Sequence, residues 1–287
     1  MSRSVRQVNQ RWSQTAATGQ SIKPAVTDNR GDALAASRSR AAHVCLGHSQ
    51  SFPAMPELNI PPCTAIIVAA GSSRRMGMDK LAWPLAGVPV LRRTLEPFLH
   101  ADSINSIIVV CPEERWKLLE NENFPKPVVR IDGGGERQDS VRMGLVMLDA
   151  SAHFVAVHDG ARPLVSSADI NACVAAATEH RAVSLARRAT ETMKRCDEND
   201  CCVESVSREN LWCMETPQVF SVPLLREAYQ RVAFFGLTVT DEVSAVQALG
   251  VKVKCIESRQ PNLKITTPAD LALAEGLLKT IEAKPQR

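Results

Sequence analysis

The segment AAGSSRRMGMDKL (69–81) sets Arg74, Arg75 and Lys80 just after Gly71, at the end of a short apolar run. A glycine there lets the backbone approach a ligand closely, and successive N–H groups in such a turn form a nest for an anion. Three following cations suit a polyphosphate, although a surface loop with solvated basic residues explains the segment equally well. In GGGERQDSVRMG (133–144), three glycines precede Arg137 and Ser140 at the opening of a helix. That order describes anion or sugar recognition at a helix N-terminus, or a flexible turn with Asp139 or Ser140 as a plain cap. VHDGARP (157–163) closes a third apolar run. Asp159 there can hold Mg²⁺ or a ribose hydroxyl and Arg162 a phosphate, or the two form an ion pair. His158 reads as a structural strand-end histidine. Weaker signals are TMKR (192–195), SREN (207–210), ETPQ (215–218), TDE (240–242) and NLKIT (262–266). TDE reads as a helix start capped by Thr240, and Lys264 sits in a strand-like stretch near the C-terminus.

What the sequence lacks narrows the chemistry. It contains no GxSxG, no HExxH and no CxxC pair, and neither a Walker loop nor a GxGxxG fingerprint. The remaining set is cations, glycines and one acid, without an activated nucleophile. Such a set fits a nucleophile that is already ionised. A phosphate monoester carries a charge of about −1.5 to −2 at neutral pH and needs no general base. Its attack on the α-phosphate of a nucleotide needs alignment, Mg²⁺ and cations around the developing charge. The residues therefore read as nucleotidyl transfer to a small phosphate.

These loops need a scaffold that brings them to one edge. Apolar runs at 64–71, 104–112, 127–132, 153–159, 182–188 and 251–257 read as strands buried on both faces. Stretches with helical periodicity lie at 89–99, 113–120, 138–149, 167–180, 223–232, 241–249 and 268–278. Ser166 or Ser167 and Thr267 suit N-caps, the latter followed by Pro268. Alternating strands and helices predict an α/β fold: an open, mostly parallel sheet covered on both faces, with ligands at the carboxyl ends of its strands. The polar stretch 189–215 breaks the rhythm where a crossover helix was due. An excursion of that length is a functional or interface arm.

Composition excludes other classes. The 287 residues are 45% hydrophobic, enough for a sizeable core, and carry a net charge of +3. Residues 1–62 hold seven basic and three acidic side chains, so the rest of the chain is close to neutral. No basic nucleic-acid surface follows, and 4% aromatic content with a single Tyr argues against base stacking. No run has the roughly 18 apolar residues of a membrane span. Nine scattered cysteines, none in a CxxC pair, read as reduced thiols of a cytoplasmic protein. Residues 1–62, rich in Ser, Ala and Gln, read as a disordered leader with a Pro-rich linker at 53–62. A dispensable tail or an early start codon is the favoured account of it, and organellar targeting the minority one.

In order, AAGSSRRMG, DK, GGGERQDSV, VHDGARP, TMKR, SRENLW, ETPQ, TDE and PNLKIT resemble the 2-C-methyl-D-erythritol 4-phosphate cytidylyltransferases of non-mevalonate isoprenoid biosynthesis, over about residues 63–281. The resemblance implies a Rossmann-like domain at 63–281, with 1–62 before it, a tail at 282–287 after it, and a dimerisation arm at about 189–213. It implies a homodimer that turns CTP and methylerythritol phosphate into cytidine diphospho-methylerythritol and pyrophosphate, with Mg²⁺ held mainly by the CTP phosphates. By that resemblance Ala69, Ala70, Gly71, Gly134, Gly135 and Ser140 contact the nucleotide, and Arg75 and Lys80 stabilise the transition state. Arg208 and Lys264, aided by Asp159, Arg162 and Thr192, position the methylerythritol phosphate, and Arg137 supports its loop. Two positions depart from the family pattern: the usual Pro-Lys-Gln is Asp79–Lys80–Leu81, and the usual Ala after the strand-end Asp is Gly160. Two alternatives are a cytidylyltransferase acting on ribitol 5-phosphate and a non-catalytic nucleotide-binding regulator.

Overall fold

The structure, a computed structural model, describes residues 61–71, 77–119 and 122–283. Arg74, Arg75, nearly all of the leader and the end of the tail lie outside the described residues. Seven strands form the main sheet, in the order β11 (Lys254–Glu257), β7 (Ala182–Arg188), β10 (Trp212–Ser221), β6 (Phe154–Asp159), β1 (Cys63–Val68), β4 (Ile104–Val110) and β5 (Val128–Ile131). All neighbours run parallel except β10, which is antiparallel to both β6 and β7.

The continuous apolar runs of the sequence become strands buried on both faces, as helices covering both sides require. Successive residues of β1 divide between two cores: Ala65 and Ile67 enter one, Ile66 the other. The first core is closed by α1 (Val90–His100), α4 (Ser167–His180) and α7 (Pro268–Glu282), through Phe98, Val174 and Ala274 among others. The second is closed by α3 (Arg137–Val146), α5 (Val222–Phe235) and α6 (Glu242–Gln247), through Leu145, Tyr229 and Val246. Ser166 caps α4 by accepting the Asp169 N–H at 3.0 Å. Thr267 and Asp270 form a capping box on α7 with Pro268 at its first position, as the sequence predicts. Among the described residues no helix is long and apolar enough to cross a membrane.

Several expectations are corrected. Within the polar excursion at 189–215, β8 (Met193–Cys196) and β9 (Cys202–Val206) pair as an exposed antiparallel hairpin, and the central strand β10, not expected from the sequence, begins at Trp212. Pro217 hid that strand, since proline cannot donate to a ladder; a register shift between Met214 and Gln218 absorbs it. The helix expected at 113–120 is one turn, α2 (Glu113–Trp116). The stretch around Lys264 is irregular backbone rather than a strand, with the Ile265 N–H on the Ala161 carbonyl at 2.8 Å. The cap of α6 is Asp241, not Thr240: its carboxylate accepts the Ser244 N–H at 2.9 Å. A short ribbon, β2 (Pro84–Leu85) with β3 (Val88–Pro89), precedes α1.

Candidate active site

The carboxyl ends of β1 and β6 and the N-terminus of α3 enclose a cleft of about 530 Å³. Ala69, Ala70 and Gly71 continue from β1 along one side, and Gly134, Gly135 and Ser140 lie along another. Lys80, Asp159 and Lys264 complete the group. Nine of the residues named from the sequence therefore meet in one place. Crowding explains two glycines of the second loop: a Cβ on Gly133 would stand 2.3 Å from the Ala70 Cβ, and one on Gly134 would stand 2.3 Å from the Asp139 Cβ. Ser140 is not the cap of α3. Glu136 is, in a capping box with Asp139, and this leaves the buried Ser140 hydroxyl to accept the Gly134 N–H at 3.2 Å.

An adjoining cavity of about 390 Å³ shares Arg137, Asp159 and Lys264 with the first and adds Arg162. Asp159 organises the cations at this junction. Lys264 Nζ is 2.8 Å from Oδ2, Arg137 Nη2 3.1 Å from Oδ1, and Arg162 Nε 3.7 Å from Oδ2. Burial by itself would raise the Asp159 carboxyl, but the charges of Arg137, Lys264 and Arg162 outweigh it and hold the group far below the ordinary carboxylate range. Asp159 is therefore ionised at any physiological pH. Arg137 does more than support its loop. Its fork binds Glu242 at 2.6 and 3.0 Å, and Tyr229 donates to the same carboxylate at 2.9 Å. Burial opposes the charge on Arg137, yet Glu242 and Asp159 hold it firmly protonated. Lys80 Nζ donates to the Ile265 carbonyl at 2.7 Å, which ties the first loop to the segment that carries Lys264.

The acid does not fit a metal ligand, because both its oxygens already face cations. No group of three or more Cys, His, Asp or Glu among the described residues could hold a metal ion. Thr192 and Arg208 are exposed at the foot of the β8–β9 hairpin, where Arg208 donates to the Thr190 carbonyl, and neither lines either of these two cavities. The sequence offers Glu242 only as an acid at a helix start and does not single out Tyr229 or Arg115. Glu242 lies 105 residues from Arg137, Arg115 36 from Asp79 and Tyr229 13 from Glu242, and no local spacing signals such pairs.

The family model described as 2-C-methyl-D-erythritol 4-phosphate cytidylyltransferase matches residues 63–280. A protein of that name from Prochlorococcus marinus (strain MIT 9313) is 42% identical over 217 residues, 74% of this chain and 96% of the relative. The chloroplastic protein of that name from Oryza sativa subsp. japonica is 38% identical over 219 residues, 75% of this chain and 74% of the relative. The crystal structure of the Francisella tularensis cytidylyltransferase superposes with a TM-score of 0.65 at 32% identity, covering 75% of this chain and 99% of that one. The 4-diphosphocytidyl-2C-methyl-D-erythritol synthase from Anaerococcus prevotii DSM 20548 gives 0.68 at 27% identity, over 76% and 99%. With the cleft at the strand ends and the ordered motifs within the matched span, the chain belongs to the 2-C-methyl-D-erythritol 4-phosphate cytidylyltransferase family.

Proposed function

We propose that the protein transfers the cytidylyl group of CTP to 2-C-methyl-D-erythritol 4-phosphate, forming 4-diphosphocytidyl-2-C-methyl-D-erythritol and pyrophosphate. The observation that carries this reading is the meeting of residues 69–71, the Gly134–Gly135–Ser140 wall and two lysines in one cleft. An oxygen of the acceptor phosphate attacks the α-phosphorus. The bond from that phosphorus to the bridging oxygen breaks, and pyrophosphate leaves. The attacking group is already an anion, so no residue has to remove its proton. The backbone at 69–71 and 134–135 binds the nucleotide, and Ser140 fixes the glycine loop. Lys80 neutralises charge on the transferring phosphate, a role the family resemblance gives to Arg75 as well. Asp159 keeps Lys264 and Arg162 in place for the acceptor phosphate, where both cavities adjoin.

Mg²⁺ would be held mainly by the CTP phosphates, since Asp159 is occupied by cations, and it would supply neutralisation of phosphate charge. Arg208 and Thr192 are assigned to the acceptor side of a second copy's site, through a homodimer formed by the arm at 189–213. Their exposed position outside the two cavities described supports that assignment. The domain is taken as 63–281, working in the cytoplasm on thiol content, with no nucleic acid or membrane partner.

Pyrophosphate release from CTP and Mg²⁺ tests the reading, with methylerythritol phosphate, with ribitol 5-phosphate and with neither. Turnover should need methylerythritol phosphate, and Lys80→Ala should lower kcat about 10²- to 10³-fold with the fold intact. Faster turnover of ribitol 5-phosphate, or CTP binding without release on either acceptor, would replace the reading.

A further inference from the structure

Arg115 lines neither cavity and plays no part in the chemistry above, yet only 7% of it is exposed and its guanidinium converges on the first loop. Nε and Nη2 grip the two carboxylate oxygens of Asp79 at 2.8 and 3.0 Å. Nη1 donates to the Ala69 carbonyl, and Nη2 also donates to the Gly71 carbonyl at 3.3 Å. Asp79 Oδ1 accepts the Leu81 N–H at 3.0 Å, closing a turn around Lys80. A single planar fork thus joins the end of β1 to the residue before Lys80, and the fork geometry matches a carboxylate in a way an ammonium cannot.

The position of the pair has a direct geometric effect on the cleft. A trans peptide whose carbonyl is held by Arg115 directs the next N–H away from it, so binding the Ala69 oxygen fixes the direction of the Ala70 N–H. Asp79 occupies the place where the family pattern has proline. A residue that stiffens the chain through its ring is here replaced by one that is held through its charge.

We propose that Arg115 is a positioning residue for nucleotidyl transfer: through Asp79 and the Ala69 and Gly71 carbonyls, it holds Lys80 and the backbone at 69–71 in one fixed relation. This rests on the assignment of Lys80 to the transferring phosphate. The pair is built to align rather than to bind, and its loss is read in turnover more than in acceptor affinity.

Asp79→Ala, Arg115→Lys and the double variant test it. Asp79 is 37% exposed in its side chain and Arg115 keeps the Ala69 and Gly71 carbonyls without it, so Asp79→Ala should fold, at some cost in stability, even where Arg115→Lys does not express. Each single variant should lose about tenfold in kcat, as misplacement of an aligned group does, with the KM for methylerythritol phosphate within about twofold. The double variant should be no worse than either single one. A second readout needs no substrate: the rate at which an amine-reactive ester acylates Lys80, followed by mass spectrometry well below the melting transition of each protein, should rise in Asp79→Ala. If the parent protein releases no pyrophosphate, the functional reading fails and the labelling rate alone decides the positioning role. An Asp79→Ala variant with parental kcat, or with parental Lys80 labelling, overturns the proposal.

Discussion

Acidification from about pH 7.5 to about pH 5 protonates an ordinary imidazole, but His158 cannot accept that proton without losing its partners. The side chain is wholly buried and its ring lies 4.8 Å from that of Phe98. Nε2 is 3.1 Å from the Arg162 carbonyl, so this nitrogen carries the proton. Nδ1 is 2.9 Å from Thr216 Oγ1 and accepts from that hydroxyl, which itself accepts the Asp159 N–H at 3.1 Å. A second proton on Nδ1 would set two donors against each other in the middle of this chain. Burial, the largest influence, therefore holds the imidazole down to about 4; the Arg162 carbonyl and the Asp159 charge offset only part of it. The unfolded chain takes up the proton first. Stability is thus complete above about pH 6.5 and drains away as the pH falls toward 4. About 1.5 units of that window lie above pH 5, and at about 1.36 kcal/mol per unit the loss is about 2 kcal/mol. Urea unfolding of the parent and of His158→Gln at both pH values measures it. The variant should lose about 2 kcal/mol less on acidification, whatever its stability at neutral pH. Glu215, raised by burial, titrates in both proteins and cancels in the difference. Identical losses in the two proteins would refute the account of a buried, obligatorily neutral His158.

Glu242→Gln should cost about 3 kcal/mol in chemical unfolding, because Arg137 would lose the buried carboxylate that fills its fork and keep only Asp159. Gly144→Ala should lower stability by about 1–3 kcal/mol, since the new Cβ would meet Ile66 at 2.8 and 2.9 Å; adding Ile66→Val should restore part of it in a thermal melt. In titration with a thiol reagent, the exposed Cys196, Cys201 and Cys202 should react first. Cys63, Cys111 and Cys173, whose thiols burial pushes up (Cys111 to about 11), should wait for denaturant.

By itself the sequence determined the sheet and most of the cleft. An apolar run such as 153–159 has no polar face to show, so it must be a strand covered on both sides, and the glycines and cations that follow such runs must gather at one edge. That reasoning brings the loops at 69–81, 133–144 and 157–163 to one edge, and the family resemblance adds Lys264 and the individual roles of Lys80, Gly134, Gly135, Ser140 and Asp159. It missed β10, because Pro217 and the polar ETPQ read as loop, whereas neighbouring strands β6 and β7 supply the pairing that overrides the local signal. It also took Asp159 for a candidate metal ligand. Only the tertiary structure brings three cations onto that carboxylate, closes Glu242 on Arg137, and sets Arg115 against Asp79. Those choices rest on long-range charge pairing in buried surroundings, where the energy depends on distance and desolvation rather than on order along the chain.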